Sequence, residues 1–182
     1  MIYRKETRIM TKADKIRELF PELKLVSDKK IADQACALWV DFWESSQWND
    51  VCDAPFNFEK NKLTLITHTQ AVVKGAIALA EAMKRTQGTS INMDVLIISC
   101  ILHDVSKLVE YSGFDEHGVP IKSEVGKAYQ HAFLGAAKAV EIGMPTAISS
   151  IILLHTDQSN RNSDTVECLL LKCADTASAK SI

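Results

Sequence analysis

No apolar run in the chain reaches the length that crosses a bilayer, roughly 20 residues for a helix. Residues 1–6, Met-Ile-Tyr-Arg-Lys-Glu, hold no apolar signal core. No block of lysine and arginine stands out, and the net charge is only −2. That balance argues against a nucleic-acid backbone as the main partner. Cys36, Cys52, Cys100, Cys168 and Cys173 are odd in number and show no paired metal spacing. Cys36, Cys100 and Cys168 fall in apolar helical runs, as reduced core thiols do. There is no low-complexity segment and no internal repeat, and no stretch alternates strongly enough to form a sheet. These absences lead to the expectation of a soluble cytoplasmic protein. Its 182 residues suffice for one domain, or a domain with an appendage.

What is present is helical. Thr11, with Asp14 three residues on, starts a short helix that stops before Pro21. Ser27 or Asp28 starts a second helix, through about residue 44. Residues 45–60 are rich in turn formers, and Trp48, Phe56 and Phe58 are expected to pin this loop to the body. A long helix is predicted over about residues 63–85, with Leu65, His68, Val72, Gly75 and Leu79 on one face. Ser90 or Asn92 caps the next, which carries Val95 to Val105. Residues 108–126 read as a small hairpin or lid, with His117 in a solvated turn. Further helices are predicted from near Lys127 to Ile142, from Thr146 to His155, and from a cap at Ser163 onward. The class is all-α, a bundle of about seven helices.

The chemistry concentrates at Ile97-Ile98-Ser99-Cys100-Ile101-Leu102-His103-Asp104-Val105-Ser106-Lys107. An apolar run ends there in two polar side chains, which are costly to bury without a partner. Alone, the dipeptide reads as a helix end reaching solvent. The other histidines change the balance. His68, His103, His131 and His155 fall on four predicted helices in or beside apolar surroundings, and Asp175 follows an apolar stretch on a fifth. Neutral imidazole and carboxylate are ligands for Zn²⁺, Fe, Mn²⁺ and Co²⁺. Six such groups exceed a simple tetrahedral site and suit two metals with a bridging carboxylate.

This ordered set resembles the HD-domain superfamily of metal-dependent phosphohydrolases. The matching residues are His68, His103-Asp104, His131, His155 and Asp175. They are joined by Lys107 in His-Asp-x-x-Lys, Gly135-Ala136 and the run Leu169-Leu170-Leu171-Lys172-Cys173-Ala174-Asp175. The resemblance covers about residues 63–179, so the expected division is an N-terminal helical appendage over 1–60 and an HD-type domain over 61–182. It implies one or two divalent ions. His68, His103, Asp104 and Asp175 would hold one, and Asp104 would bridge to a second held by His131 and His155. Asp104 and Lys107 would carry the catalysis, with hydroxide bridging the metals as nucleophile. The expected reaction is hydrolysis of a phosphoester or phosphoanhydride in a small molecule, a nucleotide being one candidate. Lys122, Lys127 and Arg161 lie in segments that could border the mouth, although each taken singly reads more readily as an ordinary surface cation. Two other readings stay open: a dinuclear-iron oxygenase of the same superfamily, and a non-catalytic metal-binding regulatory module. Nothing in these residues points to an oligomeric state.

Overall fold

The computed structural model describes residues 10–58, 63–156 and 164–181. The first helix, α1 (Lys12–Leu19), opens with the expected capping box: Thr11 Oγ1 accepts from Asp14 N, and the Asp14 carboxylate accepts from Thr11 N. A 3₁₀ turn at Pro21–Leu25 leads to α2 (Lys29–Ser45), capped by Asp28. A second 3₁₀ turn, Val51–Asp53, precedes α3 (Leu65–Gln87), which starts at Thr64. It stops at Gly88, whose φ of 66° is the left-handed conformation that ends helices cheaply only at glycine. Asn92 caps α4 (Met93–Leu102). Then follow α5 (Lys107–Glu110), the strands β1 (Tyr111–Phe114) and β2 (Pro120–Lys122), and α6 (Glu124–Ala128). The chain continues through α7 (His131–Glu141), α8 (Thr146–Leu154) and α9 (Val166–Lys180).

Helix α4 is the axis because it is apolar all round; Leu96 through Leu102 are all buried. It packs against α2, α3, α8 and α9, while α3 runs along α9 and α7 lies on α8. The N-terminal helices belong to the same hydrophobic cluster, which extends from Ile16 to Ala174. Trp39 on α2 is fully buried, lies tilted against the Phe20 ring and donates Nε1–H to Ile101 O at 3.0 Å. Truncating such a side chain to alanine costs about 3–5 kcal/mol. No helix among the described residues is long and apolar enough to cross a membrane.

Several expectations shift in detail. The helices among the described residues exceed the seven expected because the two short segments α5 and α6 are helical. The apolar stripe of α3 turns away from Leu79, which is 41% exposed, to Ala76 and Ala80. Helix α4 ends at Leu102 rather than Val105, since His103 is its C-cap and the chain turns before Lys107. The single helix expected from Lys127 to Ile142 is broken. Ser123 caps the short α6, Tyr129 and Gln130 are extended, and α7 begins afresh at His131. Helix α9 is capped by Thr165, whose Oγ1 accepts from Cys168 N; Ser163 and Arg161 lie outside the described residues. The hairpin stands where a small hairpin or lid was expected. Tyr111 faces Lys122, Phe114 faces Pro120, and Asp115 Oδ1 closes the turn by accepting from His117 N and Val119 N.

Candidate metal centre

Five helices meet at one point inside the bundle. His68 comes from the first turn of α3, His103 and Asp104 from the end of α4, His131 from the first residue of α7, His155 from the end of α8, and Asp175 from α9. His68, His103, Asp104 and His155 are buried. The His131 and Asp175 side chains keep 21% and 23% exposure, so the cluster is open along that edge.

The two oxygens of Asp104 divide the histidines into pairs. Oδ2 lies 3.5 Å from His68 Nε2 and 3.4 Å from His103 Nε2. Oδ1 lies 3.1 Å from His131 Nε2 and 3.5 Å from His155 Nε2. Asp175 Oδ1 completes the first pair at 3.1 Å from His68 Nε2. Ligand atoms of His68, His103 and Asp175 lie within 4.8 Å of one another, as do those of His103, Asp104 and His155.

All four rings turn Nε2 inward because each Nδ1 faces an outer partner. His103 Nδ1–H donates to Cys100 O at 2.8 Å, and His155 Nδ1–H to Ile152 O at 2.6 Å. A carbonyl can only accept, so in neutral rings these bonds leave the Nε2 lone pairs facing the centre. His68 Nδ1 sits 3.0 Å from Ser178 Oγ, and His131 Nδ1 sits 3.4 Å from Glu110 Oε2. Outer contacts of this kind orient imidazoles that hold metals.

The electrostatics call for a cation. Burial pushes the pKa values of His68 and His155 down, so these rings are driven toward the neutral form. Burial also opposes charge on His103 and His131, but the Asp104 carboxylate, with Asp175 and the Cys100 carbonyl at His103 and Glu110 at His131, outweighs it and raises both. Burial works to raise Asp104; Lys107, His103 and His131 together hold it well below the usual carboxylate range. Asp104 Oδ1 is buried and has no hydrogen-bond partner among the described residues. A neutral His155 would aim a lone pair at that oxygen. Divalent ions between these atoms would satisfy both, so the donor set fits a metal.

Lys107 does not simply follow His103 along a continuing helix. It begins α5, with Nζ 2.9 Å from Asp104 Oδ2 and 4.1 Å above the Phe56 ring. Phe56 in turn stacks on His68, ring centroids 3.7 Å apart, while Phe58 meets Tyr111 and Trp48 meets Phe114. The aromatic loop is thus pinned by packing, as expected. Lys122 pairs with Glu110 at 3.2 Å, and Lys127 pairs with Glu124 on the surface. His117 is 69% exposed in the hairpin turn and takes no part in the centre.

Two contributors escaped the sequence reading. Ser178 sits three residues after Asp175, a helical step that shares its face, so spacing alone could have flagged it. Glu110 is an isolated acid between Val109 and Tyr111, and its burial is the only unusual thing about it.

The family model for the HD domain matches residues 65–180, a stretch that contains all six candidate ligands. The dihydroneopterin 2',3'-cyclic phosphate phosphodiesterase of Methanocaldococcus jannaschii is 27% identical over 124 residues, covering 64% of this chain and 46% of that protein. The alignment therefore spans about half the length of the curated relative. No solved structure matches at a significant level. With the match extending over most of the chain and enclosing the whole His/Asp cluster, this protein belongs to the HD-domain family.

Proposed function

We propose that this chain is a divalent-metal-dependent phosphohydrolase that cleaves a phosphoester of a small molecule. The observation that carries the reading is the division of four Nε2 atoms between the two oxygens of one buried carboxylate. In this reading His68, His103, Asp104 and Asp175 hold one ion, and Asp104, His131 and His155 hold a second. Bound divalent ions supply a nucleophile near neutral pH by lowering the pKa of water, and they offset charge on phosphate oxygens. The residues of the chain do the rest. Asp104 fixes the spacing between the two sets of ligands. The open edge at His131 and Asp175 gives the phosphate its approach. Lys107 holds a point charge beside the centre, available to a non-bridging phosphate oxygen as negative charge develops. Its protonated amine cannot serve as a ligand.

The relative from Methanocaldococcus jannaschii is named for a cyclic phosphodiester, and the same bond class is the first to assay here. The test loads the metal-free protein anaerobically with Fe²⁺, Mn²⁺ or Zn²⁺ and offers cyclic phosphodiesters, linear diesters, monoesters, nucleotides and dinucleoside polyphosphates. Metal-dependent release of phosphate or of a monoester product is the expected result. Dioxygen consumption with no P–O cleavage from any substrate would overturn the reading in favour of oxygenase chemistry.

A further inference from the structure

Glu110 is buried, 6% exposed, in a position where the fold has no packing need for a charge. Its two oxygens face in different directions. Oε1 lies 3.2 Å from Lys122 Nζ on β2, and Oε2 lies 3.4 Å from His131 Nδ1. We infer that Glu110 is a positioning residue that fixes the ring of His131, selecting the tautomer with Nε2 presented to the second metal. The inference rests on the metal centre proposed above.

The need for such a residue follows from where His131 stands. His103 and His155 each close a helix and find their Nδ1 acceptor at the carbonyl three residues earlier. His131 opens α7 after two extended residues, so no such carbonyl is available to it. An acceptor must come from elsewhere in the chain, and Glu110 Oε2, buried 3.4 Å away with no hydrogen-bond partner among the described residues, is the one placed to supply it. It is also the single carboxylate among the outer partners of the four rings in the described residues. A carboxylate behind an imidazole fixes the tautomer more firmly than a hydroxyl and makes the ring a better donor.

The surroundings hold Glu110 in place. Ser123 N donates to Glu110 O at 2.9 Å, and Ser123 Oγ donates to Val109 O at 2.6 Å. Gly126 lies so close that a Cβ there would collide with the Glu110 carbonyl oxygen and crowd its Cγ. On the other side, Ser106 Oγ donates to His131 O at 2.6 Å, which anchors the start of α7. Lys122, resting over the Phe58 ring, balances the charge of Glu110.

A rival role is that Glu110 merely ties the hairpin down through Lys122. Three variants separate the two: Glu110→Gln, Glu110→Ala and Lys122→Gln, each checked for native circular dichroism. Each metal-free protein is titrated anaerobically with Mn²⁺, and the affinity of each of its sites is read by calorimetry and by the Mn²⁺ resonance signal. The inference expects one of the two binding steps to lose about 10- to 100-fold in affinity in the folded Glu110 variants, the range for an outer partner of a metal-bound histidine. It expects the other step to hold and Lys122→Gln to bind like wild type. Equal losses in the Glu110 and Lys122 variants would overturn it in favour of the tether. Wild-type affinity in the Glu110 variants would overturn it outright and leave the proposed function standing. Wild-type protein that binds no Mn²⁺, Fe²⁺ or Zn²⁺ would overturn both.

Discussion

His103 and His155 end two helices that are built alike, and His68 and His131 are held in a different way. Helices α4 and α8 are apolar almost throughout, and each finishes in a histidine whose Nδ1 bonds to the carbonyl three residues before it. Orientation there is local: one turn of helix sets the ring. His68 and His131 lie at the start of their helices and depend on Ser178 and Glu110, which the chain brings from α9 and α5. The two kinds of support give different sensitivities. A backbone carbonyl cannot be removed by substitution, whereas a side-chain partner can. The centre is therefore robust at one histidine of each pair and adjustable at the other.

The largest effect expected is at the residue that joins both halves. Asp104→Ala removes an oxygen from each pair and should abolish metal retention and turnover, read by metal analysis and by the phosphoester assay. Next is Lys107→Met, which should lower kcat/KM by roughly 10- to 1,000-fold, the range for one lost electrostatic stabiliser, with metal content unchanged. If turnover survives intact, Lys107 serves only to neutralise Asp104. Smaller still is Ser178→Ala, which should weaken the ion held by His68 by about tenfold, the low end for an outer partner, and leave the His131 side untouched. Titration with Mn²⁺ reads this, and an equal loss at both sites would erase the contrast between locally and remotely supported rings. His117→Ala should change neither metal affinity nor turnover, because its side chain lies in the exposed hairpin turn.

How much of this was legible follows the same division. The apolar runs before His103 and His155 announce buried helices, and a polar residue closing such a run is visible in one dimension. The six candidate ligands could be picked out because each is a chemical exception in its segment. The cap at Thr11 was readable for the same local reason, and those at Asp28 and Asn92 were each one of two neighbouring candidates. What the sequence concealed was long-range. The break before His131 depends on α6 folding against Glu110, a contact governed by Gly126 rather than by any strong helix-stop signal. The Lys107–Asp104 pair, three residues apart, was open to the spacing argument, but the turn after α4 that makes Lys107 the first residue of α5 is not shown by an apolar pattern running on to Val105. Glu110 looked like an ordinary acid because its role is set by a histidine on another element.

The central claim is that one buried carboxylate joins two metal sites. Metal analysis of anaerobically purified wild-type protein beside His131→Ala tests it most directly. The proposed two-metal centre predicts about two ions per chain in the wild type and about one in the variant, as for a two-metal site stripped of one ligand set. Wild-type protein saturating at one ion, or a variant that still holds two, would contradict it.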